Sequence, residues 1–320
     1  MISQIYSVSD PTSRFSNVLH SVMLVGGIGL IMSFSAWLLF GKSGVVWAFV
    51  MIAVLLLISP RIAPEIIVRM YGARKVHPQY GAPVLRVMEE LARRADLPAV
   101  PHLYVIPSPV INAFATGVKS GALIVVTQGM LNKLTARELM GVLAHEMSHI
   151  RNNDLWIMSL ADTMSRFTYF MALMAIAIAM ISVPIALFGG PPVPLLSILV
   201  LYFAPTVSSL LQLGLSRARE YDADHIGAEL TGDPEGLASA LHKIESYQGR
   251  ILETIFIPGR NMPVPSVLRT HPSTEERIKR LLAMRDYTSA PVETPGLETV
   301  PLHFVPRRQR ARYHLNGLWY

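Results

Sequence analysis

No cysteine occurs in the 320 residues. A disulfide framework, a cysteine-ligated zinc site, an iron–sulfur cluster and a thiol nucleophile are therefore excluded together. The absence also suits a protein facing the cytosol. Charge is scarce as well: Asp, Glu, Lys and Arg make up 16% of the chain, against about 25% in an average soluble domain. Acidic residues are the scarcer sign, 22 against 28 basic ones, for a net charge of +6. What the chain has in quantity is apolar residues, at 51%, with a mean hydropathy of +0.39. Disorder needs the reverse composition, and an ordinary soluble enzyme is a poor description. A basic balance suits nucleic acid, anionic lipid or membrane topology. The apolar composition favours the last two, and no nucleic-acid partner is expected.

The uncharged stretches give the class. Ser21 to Phe40 holds no charged residue, and Gly41 to Pro60 holds only Lys42. From Phe167 to Ser216 there is again no charge, with Gly189-Gly190-Pro191-Pro192 near the middle. A bilayer core needs about 20 apolar residues per helix, so four spans are expected, in two hairpins at 18–60 and 167–215. The first is too long in its apolar region for a signal peptide, and a second follows it at once, so it reads as an uncleaved anchor. Arg61, Arg69, Arg74, Lys75 and Arg86 follow the second span, Arg151 and Arg166 precede the third, and Arg217 and Arg219 follow the fourth. Basic residues mark the cytoplasmic side. Both termini and both polar regions, 61–166 and 216–285, are expected inside, with segment 1–17 before them and an irregular, Pro-rich tail at 286–320.

Within the polar regions, Val84, Leu85, Val87, Met88, Leu91, Ala92 and Ala95 recur at helical spacing, which predicts a helix over Ala82–Ala95. Leu103–Ile106 and Ala122–Thr127 are short β-prone runs. Thr135 and Glu138 have capping-box spacing, as do Ser273 and Glu276. Asp233-Pro234 is a helix start.

The sharpest chemical signal is His145-Glu146-Met147-Ser148-His149, a match to H-E-x-x-H. Residues i and i+4 share a helix face, so two imidazoles can hold one zinc, and the glutamate between them can reach the activated water. Leu139, Val142, Leu143 and Ile150 give this helix an apolar face. A catalytic zinc needs a third protein ligand and an open position. The metzincin pattern would put glycine at 152 and histidine at 155; Asn152 and Leu155 stand there. Glu220, just past the fourth span, is the best candidate for the third ligand. Asp224, one turn further on, could accept the free N–H of a ligating histidine. A charged helix end at the membrane surface is the plain alternative for this stretch.

These motifs, in this order, resemble the HtpX-type membrane zinc peptidases, gluzincins related to the prenyl-protein peptidases. Asn112-Ala113-Phe114-Ala115-Thr116-Gly117, the zinc helix with Ile150 and Asp154, Arg217-x-Arg219-Glu220 with Ala223-Asp224, and Thr270-His271-Pro272 with Glu276-Arg277-Ile278 all match. The resemblance covers about 15–285, the two-span insertion included. It implies that His145, His149 and Glu220 ligate zinc, one ion per chain, and that Glu146 is the general base. It implies further that Asp224 supports a ligand and that Asn112 lies at the substrate-binding edge of the cleft. The strand at Ala122–Thr127 would lend its backbone to an extended substrate. His271 would polarise the scissile carbonyl or orient substrate; a structural place before a helix is its alternative. Asn153 stands where the family pattern has glycine.

The expected architecture is a mainly α integral membrane protein with four transmembrane helices and a cytoplasmic α+β zincin-like domain with a small β-sheet. The expected function is that of a zinc endopeptidase of the inner membrane, with the lipid bilayer and polypeptides, damaged membrane proteins above all, as its partners. An intramembrane peptidase would bury its motif in a span, whereas Arg137, Glu138, Arg151 and Asp154 flank this one closely. A silent zinc-binding scaffold or transporter would close its site with a fourth ligand; none is convincing, although His225 and His271 are available.

Overall fold

The computed structural model describes residues 11–58, 68–189, 195–255 and 273–285. His271, segment 1–10 and the tail at 286–320 lie outside the described residues.

The first two expected spans form one helical stretch, α1 (Pro11–Ile58), broken only at Gly41, whose backbone has φ 62° and ψ −147°. A β-carbon on Gly29 would lie 3.5 Å from Ile52 Cδ1. In an unbroken helix those positions would be about 34 Å apart, so the chain doubles back at Gly41. That position needs glycine, because other residues rarely hold a positive φ. Two more long apolar helices follow, α5 (Asp154–Leu187) and α6 (Leu195–Thr231). Among the described residues, three helices are thus long and apolar enough to cross a membrane, with the doubled-back α1 counted once. Leu30, Trp47, Met180, Phe188, Leu196 and Leu210 are exposed along them, an apolar exterior suited to lipid and not to water.

The remaining elements build a small α+β unit. They are β1 (Arg74–Lys75), α2 (Pro78–Arg94), β2 (His102–Ile106), β3 (Ala113–Thr116), β4 (Leu123–Thr127), α3 (Gln128–Lys133), α4 (Ala136–Asn152), α7 (Pro234–Ile255) and α8 (Thr274–Ala283). Helix α2 begins four residues earlier than its periodicity indicates. Pro78 occupies its first turn, where a missing N–H costs nothing. Strand order is β1-β2-β4-β3. β2 and β4 are parallel, and β1 and β3 pair antiparallel at the two edges. Val84, Met88 and Leu91 of α2, Leu103 and Val105 of β2, Ile124 and Val126 of β4, and Leu139, Leu143 and Met147 of α4 form one core.

This arrangement corrects one expectation. β4 is an interior strand bonded on both sides, so its backbone cannot receive a substrate. The strand free to do so is β3, which runs over Ala113–Thr116 and packs against α4. The expected capping box at Ser273 is also absent. Ser273 precedes α8 but makes no side-chain cap, and the Glu276 carboxylate instead accepts a bond from Arg280 at 2.9 Å.

The capping box of α4 is formed. Glu138 Nα donates to Thr135 Oγ1 at 3.3 Å, and Thr135 Nα donates to a Glu138 carboxylate oxygen at 2.8 Å. The same carboxylate takes bonds from Ser239 (2.6 Å) and Lys243 (2.7 Å) of α7. Burial alone would raise the Glu138 pKa; the bonds from Lys243, Ser239 and Thr135 hold it below the ordinary value. The start of α4 is therefore fixed both locally and by tertiary contacts.

Candidate metal centre

Helix α4 carries His145, Glu146 and His149, and α6 carries Glu220 and Asp224. The two helices approach closely because of Gly227. A β-carbon there would lie 3.1 Å from the His145 backbone nitrogen and 3.2 Å from its α-carbon. Ser148 Oγ donates to the carbonyls of His145 (2.7 Å) and Ala223 (3.3 Å), closing the same seam. Gly227→Val is expected to force α6 outward, costing about 1–3 kcal/mol as overpacking and carrying Glu220 away from the histidines. Thermal unfolding and metal content of the purified variant check this. Wild-type values for both would show that the seam does not set the site.

Four expected residues meet here. The Nε2 atoms of His145 and His149 are 3.2 Å apart. Glu220 oxygens lie 3.5 Å from the first and 3.7 Å from the second. Asp224 Oδ1 is 3.1 Å from His145 Nδ1. His145, Glu146, Glu220 and Asp224 are all buried. His149 Nδ1 is held by a residue given no role from sequence: Asp154, at 2.9 Å. Asp154 lies five positions on, off the His149 face of a continuous helix. Asn153 ends α4 in the left-handed region, at φ 62° and ψ 26°, and this turns Asp154 back onto the ring. Asparagine is one of the few residues besides glycine that tolerate that conformation, so its replacement of the family's glycine leaves the turn intact.

Two arginines complete the arrangement. Arg277 of α8 donates from Nε and Nη2 to the two Asp224 oxygens at 2.6 and 2.7 Å, and its Nη1 is 3.1 Å from Glu220. Arg219 of α6 pairs with Asp154. Each histidine is thus backed by an aspartate, and each aspartate by a buried arginine.

The donor set fits a small divalent cation. Carboxylates facing both Nδ1 atoms place a proton there and turn both Nε2 lone pairs toward each other. At 3.2 Å these lone pairs need a positive charge between them, a shared proton or a metal ion. Donors about 2.0–2.2 Å from a tetrahedral zinc ion lie roughly 3.3–3.6 Å apart, close to the separations found. Charge agrees: four carboxylates (Glu146, Asp154, Glu220, Asp224) face two guanidiniums, leaving two negative charges in excess. Burial works against protonating His149, but the Asp154 bond and the charges of Glu220, Asp154 and Glu146 outweigh it and lift its pKa to about 9. The pocket draws positive charge.

Among the described residues, His145, His149 and Glu220 are the one group able to hold a metal ion, and no fourth side chain joins them. His225 faces Glu229 and Met284 instead. The backbone of Asn112 is tied to Thr127, whose Oγ1 accepts from Asn112 Nα (3.0 Å) and donates to its carbonyl (3.1 Å). This fixes the entry to β3. Arg277 and Asp154 stood inside motifs already noted, and Arg219 beside Glu220. Their signal was indirect: a buried cluster of carboxylates needs countercharge.

Comparison with known proteins agrees with this geometry. A model of peptidase family M48 matches residues 78–285. A protease HtpX homolog of Desulfatibacillum aliphaticivorans is 35% identical over 284 residues, 84% of this chain and 90% of the relative. The homolog of Syntrophotalea carbinolica is 37% identical over 283 residues, covering 83% and 98% of the two chains. That of Aquifex aeolicus is 37% identical over 293 residues, covering 84% and 90%.

Proposed function

Because this chain belongs to peptidase family M48, as a membrane metallopeptidase of the HtpX type, we propose that it is a zinc endopeptidase with its active site on the cytoplasmic face of the inner membrane. The convergence of His145, His149 and Glu220 in a pocket with two uncompensated negative charges carries this reading. These three residues hold the zinc, and Asp224 and Asp154 keep the two rings oriented through Nδ1. When bound, zinc supplies Lewis acidity and a water of pKa near 7. Glu146 accepts a proton from the attacking water and returns it to the leaving nitrogen. No covalent adduct with the chain is needed.

Substrate lies along β3. One side of that strand pairs with β4, and its other side is the sheet edge, where an extended polypeptide can add as a further strand. Backbone pairing of this kind reads conformation more than sequence. It suits an enzyme that removes unfolded or damaged membrane proteins, the substrates we assign to it. Asn112 stands at the start of this edge. His271 is assigned to the scissile carbonyl by family resemblance alone.

The reversal at Gly41 makes α1 two antiparallel helices, each long enough to cross a bilayer. With α5 and α6 this supports our reading of four spans in two hairpins, at 18–60 and 167–215. From the basic residues beside their ends we assign both termini and the peptidase segments, 61–166 and 216–285, to the cytoplasm.

The test uses the full-length protein in detergent with an unfolded polypeptide. Chelation is expected to stop cleavage, and one equivalent of zinc per chain to restore it. Undiminished cleavage by protein shown to be metal-free would overturn the zinc mechanism.

A further inference from the structure

We propose that the first membrane hairpin is part of the catalytic apparatus: through Ser21 and Arg219 it sets the orientation of His149. The inference rests on the zinc reading above and goes beyond it, because anchoring alone does not require the contact. Arg219 uses both ends of its guanidinium. Nη1 pairs with Asp154 Oδ1, and Nη2 donates to Ser21 Oγ at 2.6 Å. Asp154 Oδ2 is 2.9 Å from His149 Nδ1. Arg219 is 4% exposed and Asp154 3%, so water has little access to their pair, and Ser21 is half-buried beside it. A guanidinium is planar and rigid. With one end fixed on α1, the plane offered to Asp154 is fixed as well.

An apolar plug next to this chain holds the three helices in register. Leu24 and Ile28 of α1 pack with Ile157, Leu160, Ala161 and Met164 of α5 and Leu215 of α6. Each polar residue sits one helical turn from a member of the plug: Ser21 from Leu24, Asp154 from Ile157, and Arg219 from Leu215. Displacement of α1 against α5 and α6 therefore has a direct route to a metal ligand. Among the described residues His145 has no such route, because its aspartate is held by Arg277 on α8. The family match begins at residue 78, so Ser21 adds to the peptidase domain from outside it. Ser21 and Arg219 are positioning residues and touch no reacting atom.

The experiment compares full-length wild type with Ser21→Ala, Ser21→Thr and Arg219→Lys in detergent. It reads zinc affinity by competition with a chromophoric chelator, the visible spectrum of the cobalt form, and kcat and KM on an unfolded polypeptide. Loss of a residue supporting a ligating histidine weakens metal affinity by about 10–100-fold. Arg219→Lys is expected to fall in that range, and Ser21→Ala, one bond further out, to lose about three- to tenfold. Both should shift the cobalt bands and lower kcat at constant KM, and Ser21→Thr should restore all three readings. Should Arg219→Lys not fold, the Ser21 pair decides, since it changes a single hydroxyl. If Ser21→Ala melts earlier yet keeps wild-type zinc affinity and cobalt spectrum, Ser21 only packs the hairpin and the inference is overturned. A wild-type protein that binds neither metal overturns the zinc reading, and this inference with it.

Discussion

Glu146→Gln is expected to abolish cleavage, by about 100- to 10,000-fold in kcat, while the protein keeps its zinc. The substitution preserves shape and removes only the capacity to take and return a proton. General acid–base catalysis is worth that factor in enzymes that depend on it. Glu146 is buried beside His145, and its charge reaches both His149 and Arg277. It is not one of the three converging donors, so metal binding should survive its loss. Zinc content and turnover measured on the same preparation decide the matter. Equal cleavage by both proteins would remove Glu146 from the mechanism. Loss of zinc along with activity would make it a ligand.

Arg277→Gln is expected to do the largest structural damage of any single change at the site. Arg277 is 5% exposed and spans Asp224 and Glu220. Removing it leaves two buried carboxylates without their countercharge, at about 3–5 kcal/mol for breaking a buried pair. In a domain of this size that lowers the melting temperature by about 6–20 °C. Arg277→Lys keeps the charge but cannot bond both Asp224 oxygens and reach Glu220 at once, so an intermediate loss is expected. Scanning calorimetry of the metal-free and zinc-loaded forms checks both. Melting within 2–3 °C of wild type, a shift worth about 1 kcal/mol or less, would show that the carboxylates find other partners.

What the sequence made legible was what neighbours in the chain decide. The i, i+4 histidines, the Thr135 cap and the apolar face of α2 depend on local spacing and were read directly. Glu220 and Asp224 were found because they share a face one turn apart and follow a span. β3 was read only as a motif, because Asn112-Ala113-Phe114-Ala115-Thr116-Gly117 has little β-propensity of its own; pairing with β4 makes it a strand. That pairing also moved β4 from edge to interior, which run composition could not indicate. The roles of Arg219, Arg277 and Asp154 depend on contacts between helices far apart in sequence. The doubling back of α1 is legible as the expected hairpin at 18–60, whereas its means, the positive φ at Gly41, is a matter of backbone conformation.

Helix α6 runs from Leu195 to Thr231 with Pro205 inside it, so the helix that lies among the apolar helices also bears Glu220. Leverage follows. From Ala204 to Glu220 is about 24 Å at 1.5 Å per residue, and a tilt of about 3° about Ala204 swings the carboxylate by roughly 1.3 Å. An error of 1 Å in a reacting group can cost about 100-fold in rate. Transmembrane helices adjust their tilt to the thickness of the surrounding bilayer. The helix that runs through the apolar layer and the arm that delivers the third donor are therefore one mechanical element.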